Sequence, residues 1–197
     1  MTLPPPWVFA VVGAGLVITS AALSGFYTSY LEGAEARVQR KVRELEEKIA
    51  WCRDRLASGG QKLSSAELKL VLLRSTQPPP QVLSRQLKEI SNDILRGIAD
   101  RNSAATGDEP SDQQMQTWMT LAGRAGGGDA SAFSELSVIS SGLLEGWAHH
   151  NDALVKQRDE RKAQSEDLRR KVSQVRFVAV AVQILGLALV LMKDLPR

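Results

Sequence analysis

The chain has 197 residues, 43% hydrophobic and 24% charged, with a formal net charge of +3, averages that fit an ordinary soluble domain. The charge is unevenly placed: residues 1–31 and 177–192 hold no Asp, Glu, Lys or Arg, and 44 of the 47 charged residues (25 basic, 22 acidic) lie between Glu32 and Arg176. That partition excludes a single water-soluble globule and leaves a middle long enough for one small domain.

Residues 1–6 form an expected outer tail ending in Pro4, Pro5 and Pro6. A proline in the first turn of a helix loses nothing, because its N–H would be unbonded there anyway. Trp7 to Leu31 is a run of 25 uncharged residues, roughly 37 Å as a helix at about 1.5 Å per residue, against a hydrocarbon core of about 30 Å. Trp7 at one end and Tyr27 and Tyr30 at the other suit the two membrane interfaces. A cleaved signal peptide would need a basic leader, and this tail has no Lys or Arg. A transmembrane helix over 7–31 is the expectation.

The next segment, 32–58, repeats apolar residues at coiled-coil spacing: Val38, Val42, Leu45, Ile49, Cys52 and Leu56, continuous with Leu31 and interrupted at Glu35. Counted backward, the seam passes through Thr28, Ala21, Ala14 and Ala10, small residues that would admit a partner helix. One nearly continuous helix from Trp7 to Leu56 is expected, ended by Gly59 and Gly60.

Residues 59–128 are expected to form a short helical cap. Ser64 and Glu67 have capping-box spacing, and Leu63 with Leu68 the matching staple. The apolar LKLVLLR run stops before Pro78, Pro79 and Pro80, and Leu83, Leu87, Ile90, Ile94 and Ile98 then mark an amphipathic helix. Asn102 to Asp112 predicts a loop, Gln113 to Ala122 a helix with Met115, Trp118, Met119 and Leu121, and Gly123 to Gly128 a flexible linker. The GRAGGG run lacks the strand before it and the Lys-Ser/Thr after it that a phosphate loop requires.

From Asp129, whose carboxylate suits an N-cap, a second long helix over 129–176 carries Leu136, Ile139 or Ser140, Leu143, Trp147, Leu154, Leu168, Val172, Val175 and Ala179 in the same rhythm, with polar positions between Arg158 and Glu166. It should lie antiparallel to the first as a hairpin stalk. Phe177 to Met192 is a second apolar segment of 16 residues between Arg176 and Lys193, whose stems extend its span by snorkelling. Gln183 inside it needs a polar partner in hydrocarbon and is expected to face another helix. Residues 193–197 form the other tail.

Orientation follows from basic residues near the spans. Arg37, Arg40, Lys41, Arg43, Lys162, Arg169, Arg170, Lys171 and Arg176 lie on the middle side, against Lys193, Arg197 and the amino terminus outside. The middle is therefore expected in the cytoplasm, with both termini outside an inner (plasma) membrane. A lone Cys52 suits a reducing compartment. Arg37, Arg40, Lys41 and Arg43, with Arg169, Arg170, Lys171 and Arg176, are expected to meet anionic head groups. With 23 basic and 21 acidic residues the middle is too balanced for nucleic acid.

Candidate chemistry is sparse. Glu145, His149 and Asp152, at i, i+4 and i+7, could offer metal ligands from one helix face, but without a second cluster the expectation is no metal, no cofactor and no enzyme activity. In plan, two spans around a helical bundle resemble the sensor half of bacterial chemoreceptors. The chain departs from that plan because five residues follow the second apolar segment and the charge bias puts the bundle inside, so no family is assigned. The expected fold is all-α, two transmembrane helices flanking a cytoplasmic antiparallel helical hairpin or coiled-coil stalk with a short cap. The expected role is a non-enzymatic membrane scaffold or regulatory subunit, a homo-oligomer or partner of another membrane protein. Its contacts would come from Val38, Val42, Leu45, Ile49, Leu56, Met115, Trp118, Met119, Leu168, Val172, Val175 and Gln183. The alternative is a membrane-perturbing or channel-forming oligomer gated by its helical domain.

Overall fold

The computed structural model describes residues 5–76 and 79–192; Pro4, Pro78, Lys193 and Arg197, together with the tail 193–197 and most of the tail 1–6, lie outside the described residues. The fold is all-α, with no strand among the described residues. In chain order it comprises α1 (Pro6–Ala22), a π-helical segment (Leu23–Tyr27), α2 (Thr28–Thr76), α3 (Pro80–Thr106), α4 (Asp112–Gly126) and α5 (Ala130–Met192). Two compact units emerge, one of residues 1–43 with 159–197 and one of residues 44–158. Their boundaries fall inside α2 and α5, away from the glycines at 59 and 60.

In the first unit, α1 meets α5 backbone to backbone. A Cβ on Gly13 would lie 2.5 Å from Gly186 O, and one on Gly186 would lie 2.7 Å from Gly13 O. Only glycine permits that approach. The packed face of α1 carries Gly13 and Ser20, whereas Ala14 and Ala21 are exposed and Ala10 is half-buried. The backward count from Thr28 thus lands one residue off. The cause is the π segment, which accommodates one extra residue in the helix, so the face continues eight residues before Thr28 rather than seven. Thr28 Oγ1 donates to Ser24 O at this point, a back-bond of the kind that bends helices. Along α2, Leu31, Val38 and Val42 are buried as the spacing predicts. The intruding Glu35 is half-buried and accepts from Gln39 Nε2 at 2.7 Å and from Arg169 on α5. Arg176 pairs with Glu32. The order of these partners makes α2 and α5 antiparallel within this unit.

In the second unit, α2 does not stop at Gly59 and Gly60. A Cβ on Gly59 would lie 2.7 Å from Gly97 O, and one on Gly97 would lie 2.8 Å from Leu63 Cγ. These glycines let α2 and α3 cross closely, and that packing outweighs their poor helix propensity of about 1 kcal/mol each. Ser64 is consequently mid-helix and caps nothing. Leu63 joins the core while Leu68 is 66% exposed, so the expected staple is absent.

The core draws on all four helices: Ala66 and Leu73 of α2, Ile90, Ile94 and Ile98 of α3, Trp118, Leu121 and Ala125 of α4, and Ala132 and Leu136 of α5. Leu83 and Leu87 pack against it, completing the stripe read from α3. The expected loop at 102–112 is helical as far as Thr106, because Asn102, Ser103 and Ala104 are buried against neighbours. Gly107 at φ 79° closes that helix by donating to Ser103 O at 2.9 Å. A capping box does occur, at Ser111 and Gln114, where each side chain bonds the other residue's backbone N–H. Most of the glycine run is helix too. Gly126 packs against Ser91 Oγ and Leu87 O, leaving only Gly127, Gly128 (φ 92°) and Asp129 as the turn. Asp129 caps α5 as expected, accepting from the N–H of Ser131 at 2.9 Å and Ala132 at 3.2 Å.

Candidate functional site

Near its C-terminal end α3 places two consecutive charges, Asp100 and Arg101, within the second unit. They follow Ile90, Ile94 and Ile98 at helical spacing, so they fall on the edge of the apolar stripe. The Asp100 carboxylate is 7% exposed and fully engaged: Oδ1 accepts from Arg55 Nη1 at 2.8 Å, and Oδ2 from Lys62 Nζ at 2.5 Å and Ser58 Oγ at 2.8 Å. All three donors come from one face of α2. Burial alone would raise the Asp100 pKa, but the bonds from Lys62, Arg55 and Ser58 outweigh it and hold the carboxyl below its ordinary value. Arg55 also stacks over Trp51, 5.4 Å from the ring centre.

Arg101 is served differently. Its Nη1 donates to Ser140 Oγ on α5, while Nε is sealed from solvent with no hydrogen-bond partner. Its stem runs along the two glycines of α2, so that a Cβ on Gly59 would lie 3.0 Å from Arg101 Cγ and one on Gly60 3.8 Å from Nη2. Burial pulls the guanidinium below its usual pKa, and the Glu67 carboxylate opposes this through space. Arg101 lines a cleft of about 290 Å³ between α2, α3 and α5. Leu63, Ile98, Phe133 and Leu136 supply apolar wall, with hydroxyls from Ser64, Ser137 and Ser140.

No known protein family, curated protein or solved structure matches this chain.

The residues named from sequence are dispersed over both units. Glu145, His149 and Asp152 are all exposed, and no group of three His, Cys, Asp or Glu that could hold a metal occurs among the described residues. The imidazole packed inward is that of His150, whose Nε2 is buried without a hydrogen-bond partner, as are Trp147 Nε1 and Asn151 Oδ1. A Cβ on Gly107 would lie 3.1 Å from that Nε2 and 3.3 Å from Lys48 Nζ.

Val38, Val42, Ile49 and Val172 are buried, and Leu45, Leu56, Leu168 and Val175 half-buried. Trp118 belongs to the core and Met115 packs against it, whereas Met119 is 60% exposed. Cys52 is buried with Ile49 and Leu154, and burial raises its thiol pKa despite nearby Lys48. Gln183 lies on an exposed face of α5. Arg37, Arg40, Lys41, Arg43, Arg169, Arg170, Lys171 and Arg176 are all exposed, with Arg169, Lys171 and Arg176 bonded to Glu35, Asp167 and Glu32.

Sequence reasoning missed Arg101 and the cleft. The available signal was a charge pair set on the stripe that Ile90, Ile94 and Ile98 define.

Proposed function

We propose that the chain is a membrane-anchored, non-enzymatic scaffold or regulatory subunit that crosses the membrane through α1 and the end of α5 and acts by helix association. The carrying observation is the outward-facing apolar surface of these helices: both are long and apolar enough to cross a membrane, and only 11% of the most apolar window of each is buried. The core helix of a soluble protein would be mostly buried. Val11, Ile18, Phe26, Phe177, Ile184 and Leu191 are 61–84% exposed, a surface that lipid would cover at no cost. By the positive-inside rule, the basic residues beside the spans support a reading in which the second unit lies on the cytoplasmic side of an inner membrane, near anionic head groups.

The exposed Gln183 gives this surface a contact point. An amide facing hydrocarbon needs a partner, and another helix, from a second copy or a different membrane protein, supplies it. Cross-linking in native membranes followed by mass measurement in detergent tests the reading. The expected result is a defined oligomer or captured partner, weakened by Gln183→Leu; a monodisperse monomer that captures nothing overturns it.

Gln183 also supports a second reading, in which an oligomer turns this amide toward a conducting path. Ion flux through liposomes holding the purified protein separates the two, and tight vesicles under all conditions reject the channel.

A further inference from the structure

We propose that the cleft between α2, α3 and α5 binds a small amphiphile with one anionic head group, carboxylate or phosphate, on an apolar tail, anchored by Arg101. A guanidinium has five N–H donors, and this one spends a single bond on Ser140 while Nε is buried unpaired. Buried donors left unmade are costly, and a buried cation more so. Its neighbours do not relieve it. Asp100 is already held by Arg55, Lys62 and Ser58, and Glu67 acts on Arg101 only through space. Of the two charged side chains that line the cleft, Glu67 and Arg101, it is the guanidinium that brings an N–H without a partner.

The rest of the lining describes the ligand. The hydroxyl-bearing Ser64 and Ser137 share the cleft with Arg101 and suit an anionic oxygen. Leu63, Ile98, Phe133 and Leu136 line it with apolar surface fit for a hydrocarbon tail. At about 290 Å³ the space sits at the small end of ligand sites. The inference concerns the second unit alone and does not depend on self-association.

The test uses the whole chain in nanodiscs of zwitterionic lipid and follows by NMR a titration with octanoate labelled at its carboxyl carbon, empty nanodiscs being subtracted. Saturable binding is expected, weakened about tenfold or more by Arg101→Gln and retained in part by Arg101→Lys. Ser137→Leu, which narrows the cleft without touching the charge, should weaken it as well. Octyl phosphate in competition reports which head group is preferred. The proposal is overturned if wild-type binding does not saturate, if octanol competes as well as octanoate, if inorganic phosphate does, or if Arg101→Gln binds unchanged while its helical circular dichroism matches wild type.

Discussion

Asp100 and Arg101 are adjacent and bury their charges in opposite ways, one with three partners and one with a single hydroxyl. Because the Asp100 pKa is held below its ordinary value, its contribution is present above the unfolded carboxylate pKa of about 3.9 and is lost as pH falls through the folded value. Asp100→Asn should cost about 1–3 kcal/mol at neutral pH and flatten the acid limb of stability, measured by chemical denaturation across pH. An unchanged acid limb would remove Asp100 from this role. Cys52, buried and with its thiol pKa raised, should resist maleimide in the folded protein and react once it is denatured. Labelling followed by mass spectrometry checks this.

The helices turn on glycines whose role depends on what crosses them. Gly59→Ala places a methyl against the Gly97 carbonyl and should cost about 1–3 kcal/mol. Gly60→Ala meets only Arg101 Nη2 at ordinary distance and should gain about 0.5–1 kcal/mol. Thermal unfolding of the two variants should therefore shift in opposite directions. Deleting one residue from Leu23–Tyr27 should be tolerated, because the π segment can revert to α-helix with Gly13 and Ser20 still on the packed face. A deletion within 36–41 should instead turn that face away, lowering the melting temperature of the reconstituted protein.

These same sites mark how far the sequence could be read. The Ile90, Ile94, Ile98 stripe, the α5 seam and the Asp129 cap were legible because helical period and cap chemistry are local. Gly59 and Gly60 were not, since a glycine ending a helix and one admitting a neighbour are the same letter. The extra residue at the π segment was likewise invisible, and it displaced every position counted through it. Arg101 carries no motif; only the partners folding brings to it distinguish it from a surface arginine.

At the scale of the molecule, orientation can be read by thiol labelling. Gly123 has open space around its Cα, so Gly123→Cys offers a reporter thiol beside the buried Cys52. If the second unit is cytoplasmic, an impermeant maleimide added to intact cells should leave that thiol unlabelled and react after lysis. Labelling in intact cells would reverse the topology.

Neither unit ends where a helix ends. The divisions at Arg43/Glu44 and Arg158/Asp159 cut through the interiors of α2 and α5, so melting one unit alone would create two helix–coil junctions in the middle of continuous hydrogen-bonded turns. Helix formation is cooperative, and such junctions fray into whatever remains folded. Two units sharing two unbroken backbones should lose structure in one calorimetric transition, and a mutation confined to either should move the midpoint of the whole.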